Sequence, residues 1–190
     1  IGTYNGLLLV ADKAGLLSGA SGPYIADAQY GQNTVPSISG DAVMDVAMAD
    51  SFGAAVSNGM VDFIGCSRAG DGRDPEISFV GLPEDRYATA LAADGDTVWI
   101  GTSRGLFRLG QDAVAEPVEG LDMMIDAVAV DSAGRKLFAV SGTSLYIHDM
   151  SGGPWTHCPF GDIPLFCGLP SSGGTMLFGS ADGWFEMDPD

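Results

Sequence analysis

Three segments of this chain repeat one pattern at a constant spacing. Gly105, Ser144 and Gly183 hold the same place in the three copies and follow one another at intervals of 39 residues. The first copy, IGTSRGLF, aligns without gaps with AVSGTSLY and with GSADGWF. Two looser copies are IGTYNGLLLV at the start of the chain and AVSNGMV at residues 55–61. Repetition at this period predicts a row of similar units that bury their apolar faces against one another.

Each copy predicts the same run of strands and turns. A first strand leads into a turn rich in Asp, Gly and Ser, a second strand ends in a hydroxyl residue, and a Gly-rich turn opens a third strand. Gly supplies the positive φ that tight turns need, and Asp and Ser bond to their own backbone there. A fourth, more variable strand is predicted at 76–80, 113–118 and 155–160. Residues 12–32 are ambiguous and are interpreted as a loop.

Four-stranded units with a period near 40 residues are typical of the blades of a β-propeller. A β-sandwich also has a turn about every 8 to 12 residues, but sandwiches do not repeat themselves. We therefore predict an all-β fold, a β-propeller of four-stranded antiparallel blades. Residues 1–190 are expected to form a single domain, or part of a larger ring, with about five blade positions. The terminal blades are expected to be incomplete, because Ile1 enters near the end of a second strand and the last copy stops after a third.

One copy also resembles a known family. Residues 94–109, DGDTVWIGTSRGLFRL, are similar to the repeat of the two-component-regulator propellers, in which a turn, a "lWiGT" strand and a "GLyry" strand recur in each blade. The other copies keep the pattern but lose the Trp-Ile-Gly core. The resemblance implies a propeller that engages a protein or a small ligand across one face.

The charge balance is strongly acidic, with 25 Asp and Glu against eight Lys and Arg and a formal net charge of −17. Nucleic acid is not an expected partner, because phosphate binding needs a basic footprint, and the same field disfavours an anionic membrane. No apolar run approaches the roughly 18 residues that cross a bilayer. The excess of Asp and the near absence of Lys resemble haloarchaeal proteins and favour a cytoplasmic home. The alternative is an acidic secreted domain.

Propellers bind ligands at the mouths of the central channel, where the innermost strands begin. By their place in the repeat, the strand-start residues are Asp45, Thr89, Asp126 and Phe166, with Asp45 aligned to Asp126. Two converging carboxylates suit Ca²⁺, which prefers oxygen ligands. The alternative is that each Asp accepts a hydrogen bond from a neighbouring backbone N–H. Trp155, beside Pro154 and a Gly pair, is the tryptophan expected to be exposed for ligand stacking.

Other residues receive structural interpretations. Trp99, Phe138 and Phe178 are predicted to occupy equivalent buried sites in three successive blades. The three cysteines, Cys66, Cys158 and Cys167, are interpreted as buried thiols, with a pairing of Cys158 and Cys167 as the alternative. The carboxylate-rich segment 69–76 lacks the pattern of an EF-hand loop and is interpreted as a solvated loop.

Three functions remain open from the sequence. No Ser, His and Asp stand in a recognisable catalytic order, so a non-catalytic binding scaffold is favoured over an enzyme. The second hypothesis is a lyase or hydrolase with a metal at Asp45 and Asp126. The third is a structural subunit completed by another chain, suggested by the mismatched terminal blades.

Overall fold

A computed structural model shows how the repeats are arranged. It describes residues 43–65, 76–171 and 175–188, together with the backbone of four strands within residues 2–35. Every regular element in these ranges is a β-strand. The described residues contain no helix that is long and apolar enough to cross a membrane.

The strands form five antiparallel sheets, in which each strand pairs with the next one along the chain. We number the sheets as blades 1 to 5. Blade 1 contains β1 (Gly2–Tyr4), β2 (Leu7–Asp12), β3 (Gly15–Ala20) and β4 (Asn33–Val35). Blade 2 contains β5 (Val43–Met48), β6 (Phe52–Ser57), β7 (Met60–Gly65) and β8 (Glu76–Val80). Blade 3 contains β9 (Ala88–Asp94), β10 (Thr97–Thr102), β11 (Leu106–Leu109) and β12 (Ala115–Val118). Blade 4 contains β13 (Ala127–Asp131), β14 (Lys136–Ser141), β15 (Ser144–Asp149) and β16 (Thr156–Pro159). Blade 5 contains β17 (Leu165–Pro170), β18 (Met176–Ser180) and β19 (Gly183–Met187).

The sheets are the blades of a β-propeller, as the repeat predicts. The first strands of blades 2 to 5, which are β5, β9, β13 and β17, lie side by side as the innermost strands. Four four-stranded blades follow one another around the ring, and the three-stranded blade 5 continues the series. The predicted fourth strands are present as β8, β12 and β16.

Blade 1 differs from the sequence interpretation. It has four strands, because β3 forms within the segment that was interpreted as a loop and pairs with β2 from Leu7↔Ala20 to Asp12↔Gly15. The expectation that the first blade has lost strands is therefore wrong. The segment has no alternating pattern, and small residues such as Gly19 and Ala20 carry little strand preference of their own.

The repeat spacing reflects the turn between the second and third strand of each blade. Ser141 pairs with Ser144, and Ser180 pairs with Gly183, while Thr102 donates its N–H to the carbonyl of Gly105. In blade 2 the turn is Asn58-Gly59, and both residues have positive φ, as an Asn-Gly hairpin turn requires. The 39-residue interval is thus the distance between equivalent turns in blades 3, 4 and 5.

The hydrophobic core lies between neighbouring blades. One buried cluster joins blades 2 and 3 and includes Phe52, Val98 and Leu109. A second cluster joins blades 3 and 4, and a third joins blades 4 and 5. Strands buried on both faces explain the continuous apolar runs of the sequence.

Each of these contacts between blades carries the same backbone hydrogen bond. The N–H of the residue at or just before the innermost strand donates to a carbonyl in the turn of the preceding blade. These bonds are Ala88 to Gly59 at 2.7 Å, Ile125 to Thr102 at 2.9 Å and Leu165 to Gly142 at 3.0 Å. The start of every innermost strand from blade 3 onward is therefore fixed to the blade before it.

The three aromatic residues predicted to occupy equivalent buried sites do so only in part: Trp99 and Phe138 hold equivalent positions but Trp99 is half-buried, and Phe178 is buried at a different position. Trp99 and Phe138 hold the same register, because each stands three residues before the last residue of its strand. Leu177 is their counterpart in β18, and Phe178 lies one residue later, on the opposite face of the sheet. The rings of Phe138 and Phe178 consequently meet across the space between blades 4 and 5, with centroids 6.1 Å apart.

The cysteines also depart from the sequence interpretation. Cys167 is exposed and Cys158 is half-buried, and both are free thiols, so they are not all buried. Cys167 pairs with Gly179 directly after the β-bulge at Phe166, and it lies on the face of β17 that also carries the exposed Leu169. Cys66 and the segment 69–75 lie outside the described residues.

Candidate functional site

The innermost strands begin with one residue that does not fit the regular pairing. In blades 2, 3 and 5 the register between the first and second strand shifts, and the residue left unpaired is Met44, Thr89 and Phe166 respectively. In blade 4 the same place belongs to Asp126, which directly precedes β13. Bulges of this kind redirect side chains and are frequent beside binding sites. The four residues therefore mark one end of the channel, which we call the mouth.

The alignment of Asp45 with Asp126 is wrong by one residue. Val56 pairs with Asp45 and Val140 pairs with Ala127, so the counterpart of Asp126 in blade 2 is Met44. The mismatch arises from turn length. The turn from β5 to β6 closes between Ala49 and Phe52, whereas the equivalent turn in blade 4 is two residues longer and closes between Asp131 and Lys136.

A cavity of about 340 Å³ opens at the mouth between blades 2, 3 and 4. Three exposed apolar side chains form its rim: Met44 is 66% exposed, Tyr87 is 52% exposed and Met124 is 44% exposed. The remaining lining residues are Asn58, Gly59, Ala88, Thr89 and Asp126. The cavity thus combines an apolar rim with a few polar groups, which is the usual composition of a small-molecule site.

Tyr87 is held at the rim by both of its neighbouring turns. Its carbonyl accepts the N–H of Ser103, and its N–H donates to the Ser103 hydroxyl at 3.2 Å. Its Cβ also packs against Gly59, where an added methyl group would lie 2.7 Å away. Gly59 is needed at this position for its positive φ and for this close approach.

The segment that carries Met124 is anchored to blade 3. Arg104 forms a two-pronged ion pair with Asp122, at 2.7 and 3.1 Å, and the N–H of Gly105 donates to the carbonyl of Met123. The hydrogen bond from Arg104 lowers the pKa of Asp122. These contacts fix the segment that carries Met124 beside the cavity. The residues that make the contacts do not themselves line the cavity.

Thr89 and Asp126, two of the residues predicted to lie at a channel mouth, line the cavity. The hydroxyl of Thr89 donates to the carbonyl of Ile125 and so joins blade 3 to blade 4. One carboxylate oxygen of Asp126 accepts the N–H of Gly142 at 2.6 Å. Asp126 is the one carboxylate among the lining residues.

Asp45 is outside the lining of the cavity and has a structural contact instead. Its carboxylate accepts the N–H of Leu91 at 2.7 Å, from the innermost strand of the next blade, and that of Val46 at 2.9 Å. Burial raises the pKa of Asp45, and these two hydrogen bonds partly offset the rise. This is the alternative that the sequence left open, in which an Asp near the strand start accepts a hydrogen bond from a backbone N–H.

Trp155 lies away from the other predicted site residues. It directly precedes β16, the outermost strand of blade 4, and its indole N–H donates to the carbonyl of Glu119 at 3.0 Å. Its ring stacks on His148 with centroids 4.9 Å apart and is half-buried. The structure therefore brings Thr89 and Asp126 together and leaves Asp45 and Trp155 outside the cavity.

Met44, Tyr87 and Met124 were missed by the sequence analysis. Met44 was hidden by the one-residue misalignment of blade 2, and the other two lie in loops that the repeat does not cover. The one available signal was position, since all three stand within two residues of a predicted strand-start site. Among the described residues, no three His, Cys, Asp or Glu side chains converge in a group that could hold a metal ion.

Comparison with known proteins places the chain by its fold. The extracellular domain of the putative one component system BT4673 from B. thetaiotaomicron is similar, with a TM-score of 0.66 and 14% identity over 97% of this chain and 26% of that one. The Dos1 propeller matches with a TM-score of 0.71 and 13% identity over 96% of this chain and 52% of that one. The computationally designed Ika4 protein matches with a TM-score of 0.59 and 12% identity over 77% of this chain and 90% of that one.

These likenesses concern the fold alone, because all three identities are below 15%. The chain spans about a quarter of the length of the BT4673 domain and about half of the Dos1 propeller. No protein-family model matches the sequence, and no curated protein does.

Proposed function

We propose that this chain is a non-catalytic binding scaffold and that its ligand enters the cavity at the mouth of the propeller. The observation that carries the proposal is the cavity itself, rimmed by Met44, Tyr87 and Met124. Large exposed apolar side chains gathered around a concavity are a common mark of a binding site. The ligand is a small molecule or a protein segment that inserts a side chain.

The arrangement of the blades supports the same proposal. Hydrogen bonds between blades fix the strand starts, so the rim side chains project from a rigid frame. We extend the proposal to a single regulator-type propeller domain, on the strength of the resemblance of residues 94–109 and of a similar fold in a putative one component system. A salt-adapted origin is also proposed, from the acidic composition.

The proposal is tested by NMR on protein with ¹³C-labelled methionine methyl groups. A library of small organic fragments is added, and the signals of Met44 and Met124 are followed. Met176, which is fully buried between blades 4 and 5, is the internal control. We expect the fragments that bind to shift the two rim signals and to leave the Met176 signal in place.

A pair of variants distinguishes binding at the mouth from non-specific binding to exposed apolar surface. Tyr87→Ser is expected to abolish the shifts, while Phe79→Ser is expected to keep them, because Phe79 is similarly exposed but lies on β8, an outermost strand. Fragments that shift neither rim signal, or that bind equally well to the Tyr87→Ser variant, contradict the proposal. Calcium at the mouth stays a prediction, checked by adding Ca²⁺ to the same sample.

A second candidate function, a structural subunit completed by another chain, is favoured by one face of blade 5. Leu169, Leu177 and Trp184 lie on the same face of this sheet, and Trp184 is 70% exposed. Phe138, the counterpart of Leu177 in blade 4, is fully buried by the next blade. Blade 5 thus exposes the face with which the other blades pack against the next blade.

Sedimentation over a range of protein concentrations tests this second candidate. If a second copy of the chain covers this face, the protein associates as its concentration rises, and Trp184→Glu weakens the association. A compact monomer at all concentrations contradicts self-completion.

A further inference from the structure

We propose that the ligand of the mouth is a small organic cation, an ammonium or guanidinium group carried on an apolar or aromatic body. The cationic group lies at Asp126, and the apolar body lies on Met44, Tyr87 and Met124. The inference rests on the proposed binding function and adds the chemistry of the ligand.

The first argument is the charge of the lining. Asp126 is the one charged residue among the lining side chains, which include no Lys, Arg or His. Ion pairs involving Arg86, Arg104 and Arg108 are present among the described residues, and none of these pairs includes Asp126. The carboxylate is oriented by its hydrogen bond from Gly142, yet no residue in the described ranges forms an ion pair with it.

The second argument is that several donors at the mouth are not available to an anion. Four groups that could donate at the mouth are already engaged within the protein. The N–H of Ala88 donates to Gly59, that of Asp126 to Val140, that of Gly142 to Asp126, and the hydroxyl of Thr89 to Ile125. An anionic ligand would meet the carboxylate of Asp126, inside a field set by a net charge of −17.

The third argument is the chemistry of the rim. A cation is attracted to the face of a Tyr ring, and the polarizable thioethers of two methionines adapt to irregular apolar shapes. A cavity of about 340 Å³ is near the lower end of the range of about 300–1,000 Å³ for ligand pockets, so it suits a small molecule. An acidic surface also raises the local concentration of cations before they bind.

The test compares two probes of nearly equal shape. 2-Phenylethylammonium carries the positive charge, and 2-phenylethanol replaces it with a neutral hydroxyl group. Both are titrated into the protein by calorimetry, and the methyl signals of Met44 and Met124 confirm where they bind. We expect the ammonium probe to bind at least about tenfold more tightly than the alcohol, as a charge-assisted hydrogen bond allows. Added NaCl is expected to reduce the preference.

Asp126→Asn and Asp112→Asn form the matched pair of variants. Both remove one negative charge, but Asp112 is exposed in the turn between β11 and β12, where it accepts the N–H of Val114. Asparagine keeps an acceptor for the N–H of Gly142, and an unchanged Met176 signal confirms the fold. We expect Asp126→Asn to lower the affinity for the ammonium probe about tenfold and to leave the alcohol unaffected. Asp112→Asn is expected to change neither.

Each contrary result overturns a defined claim. Equal affinity for the two probes, or an Asp126→Asn variant that binds the ammonium as the original protein does, overturns the cation inference and leaves binding at the mouth intact. The inference also fails if neither probe shifts the rim methionines at millimolar concentration while other fragments do. If no fragment of any charge shifts them, the proposed function fails as well.

Discussion

Two adjacent positions at the start of each innermost strand have opposite environments. The first position is always apolar and buried, and the second is the rim position, which changes in chemical character from blade to blade. The buried residues are Val43, Ala88, Ile125 and Leu165, and the rim residues that follow them are Met44, Thr89, Asp126 and Phe166. One residue along the backbone therefore separates the positions that are buried between blades from those at the mouth.

The difference follows from the bulge. From blade 3 onward, the first residue donates its N–H to the turn of the preceding blade and places its side chain between blades. In blades 2, 3 and 5 the bulge leaves the second residue out of the ladder, and in blade 4 the second residue, Asp126, directly precedes β13, so the side chain at this position is directed to the mouth. The comparison shows that the first residue of a strand start can maintain the packing between blades while the residue at the rim position changes in chemical character.

The largest expected effect contrasts Ile125 with Asp126. Ile125 is fully buried between blades 3 and 4, so Ile125→Ala is expected to lower the free energy of unfolding by about 2–5 kcal/mol. Asp126→Asn keeps an acceptor for the N–H of Gly142, so it is expected to change the free energy of unfolding by roughly 0.5 kcal/mol or less. Urea denaturation of the two variants measures both values. Similar losses for the two variants would contradict the proposed separation of roles.

The second prediction concerns the close approach of blades 3 and 4. A Cβ on Gly101 would lie 2.9 Å from Ile125 and 3.1 Å from Val128. Gly101→Ala is therefore expected to cost about 1–3 kcal/mol through overpacking. Gly81→Ala is the control, because Gly81 has open space around its Cβ position and no positive φ. A neutral Gly101→Ala variant would show that the contact between these blades is looser than the structure has it.

The third prediction concerns the hydrogen bond by which Asp45 joins β5 to β9. Asp45→Ala leaves the buried N–H of Leu91 without its acceptor, whereas Asp45→Asn keeps one. At pH 7 the Ala variant is expected to be less stable than the Asn variant by about 1–3 kcal/mol. Equal stability of the two variants would show that Asp45 does not serve Leu91.

The Asn variant also predicts a pH dependence. Burial raises the pKa of Asp45 above its ordinary value of about 3.9, so folding favours the protonated carboxyl. The stability that this group contributes is present in full below the unfolded pKa and falls as the pH rises through the folded pKa. Asp45→Asn should therefore become more stable relative to the original protein as the pH rises above about 4. A difference that stays constant between pH 3 and pH 7 would contradict the raised pKa.

The repeat accounts for how much of the fold could be predicted. Gly105, Gly142 and Gly183 have the positive φ that glycine adopts readily, and these turn residues placed the hairpins of blades 3 to 5 correctly. Errors arose where equivalent turns differ in length. Because the turn before Lys136 is longer than its counterpart in blade 2, Asp45 was aligned with the wrong residue of blade 4. A one-residue error in the alignment of blade 5 put Phe178 on the wrong face of its sheet.

The site was less predictable than the fold. Thr89 and Asp126 could be placed near the mouth because they sit at a fixed point of the repeat. Tyr87 and Met124 lie outside the repeat, and their positions depend on contacts with Ser103 and with the segment fixed by Arg104. Such contacts arise only when the blades are assembled, and no local pattern in the sequence encodes them.

The fourth prediction concerns the charged surface rather than the buried positions. A net charge of −17 on a compact body repels itself, and unfolding relieves this repulsion. The melting temperature is expected to rise as NaCl increases from near zero to about 1 M, because screening weakens the repulsion. For a domain of this size, a rise of about 2–4 °C corresponds to roughly 1 kcal/mol. A flat or falling melting temperature would remove the salt-adapted interpretation.

The smallest expected change in stability is at Met44, the rim position beside buried Val43. Met44→Ser removes a side chain that is 66% exposed, so the free energy of unfolding should change by no more than about 0.5 kcal/mol. The same substitution removes part of the apolar rim and should weaken the binding of 2-phenylethylammonium and 2-phenylethanol alike, since both place a phenyl ring there. Urea denaturation and calorimetry on one sample measure the two effects. A variant that loses stability but keeps its affinity for both probes would place Met44 with the residues that hold the blades together, and the comparison between adjacent positions would then fail for blade 2.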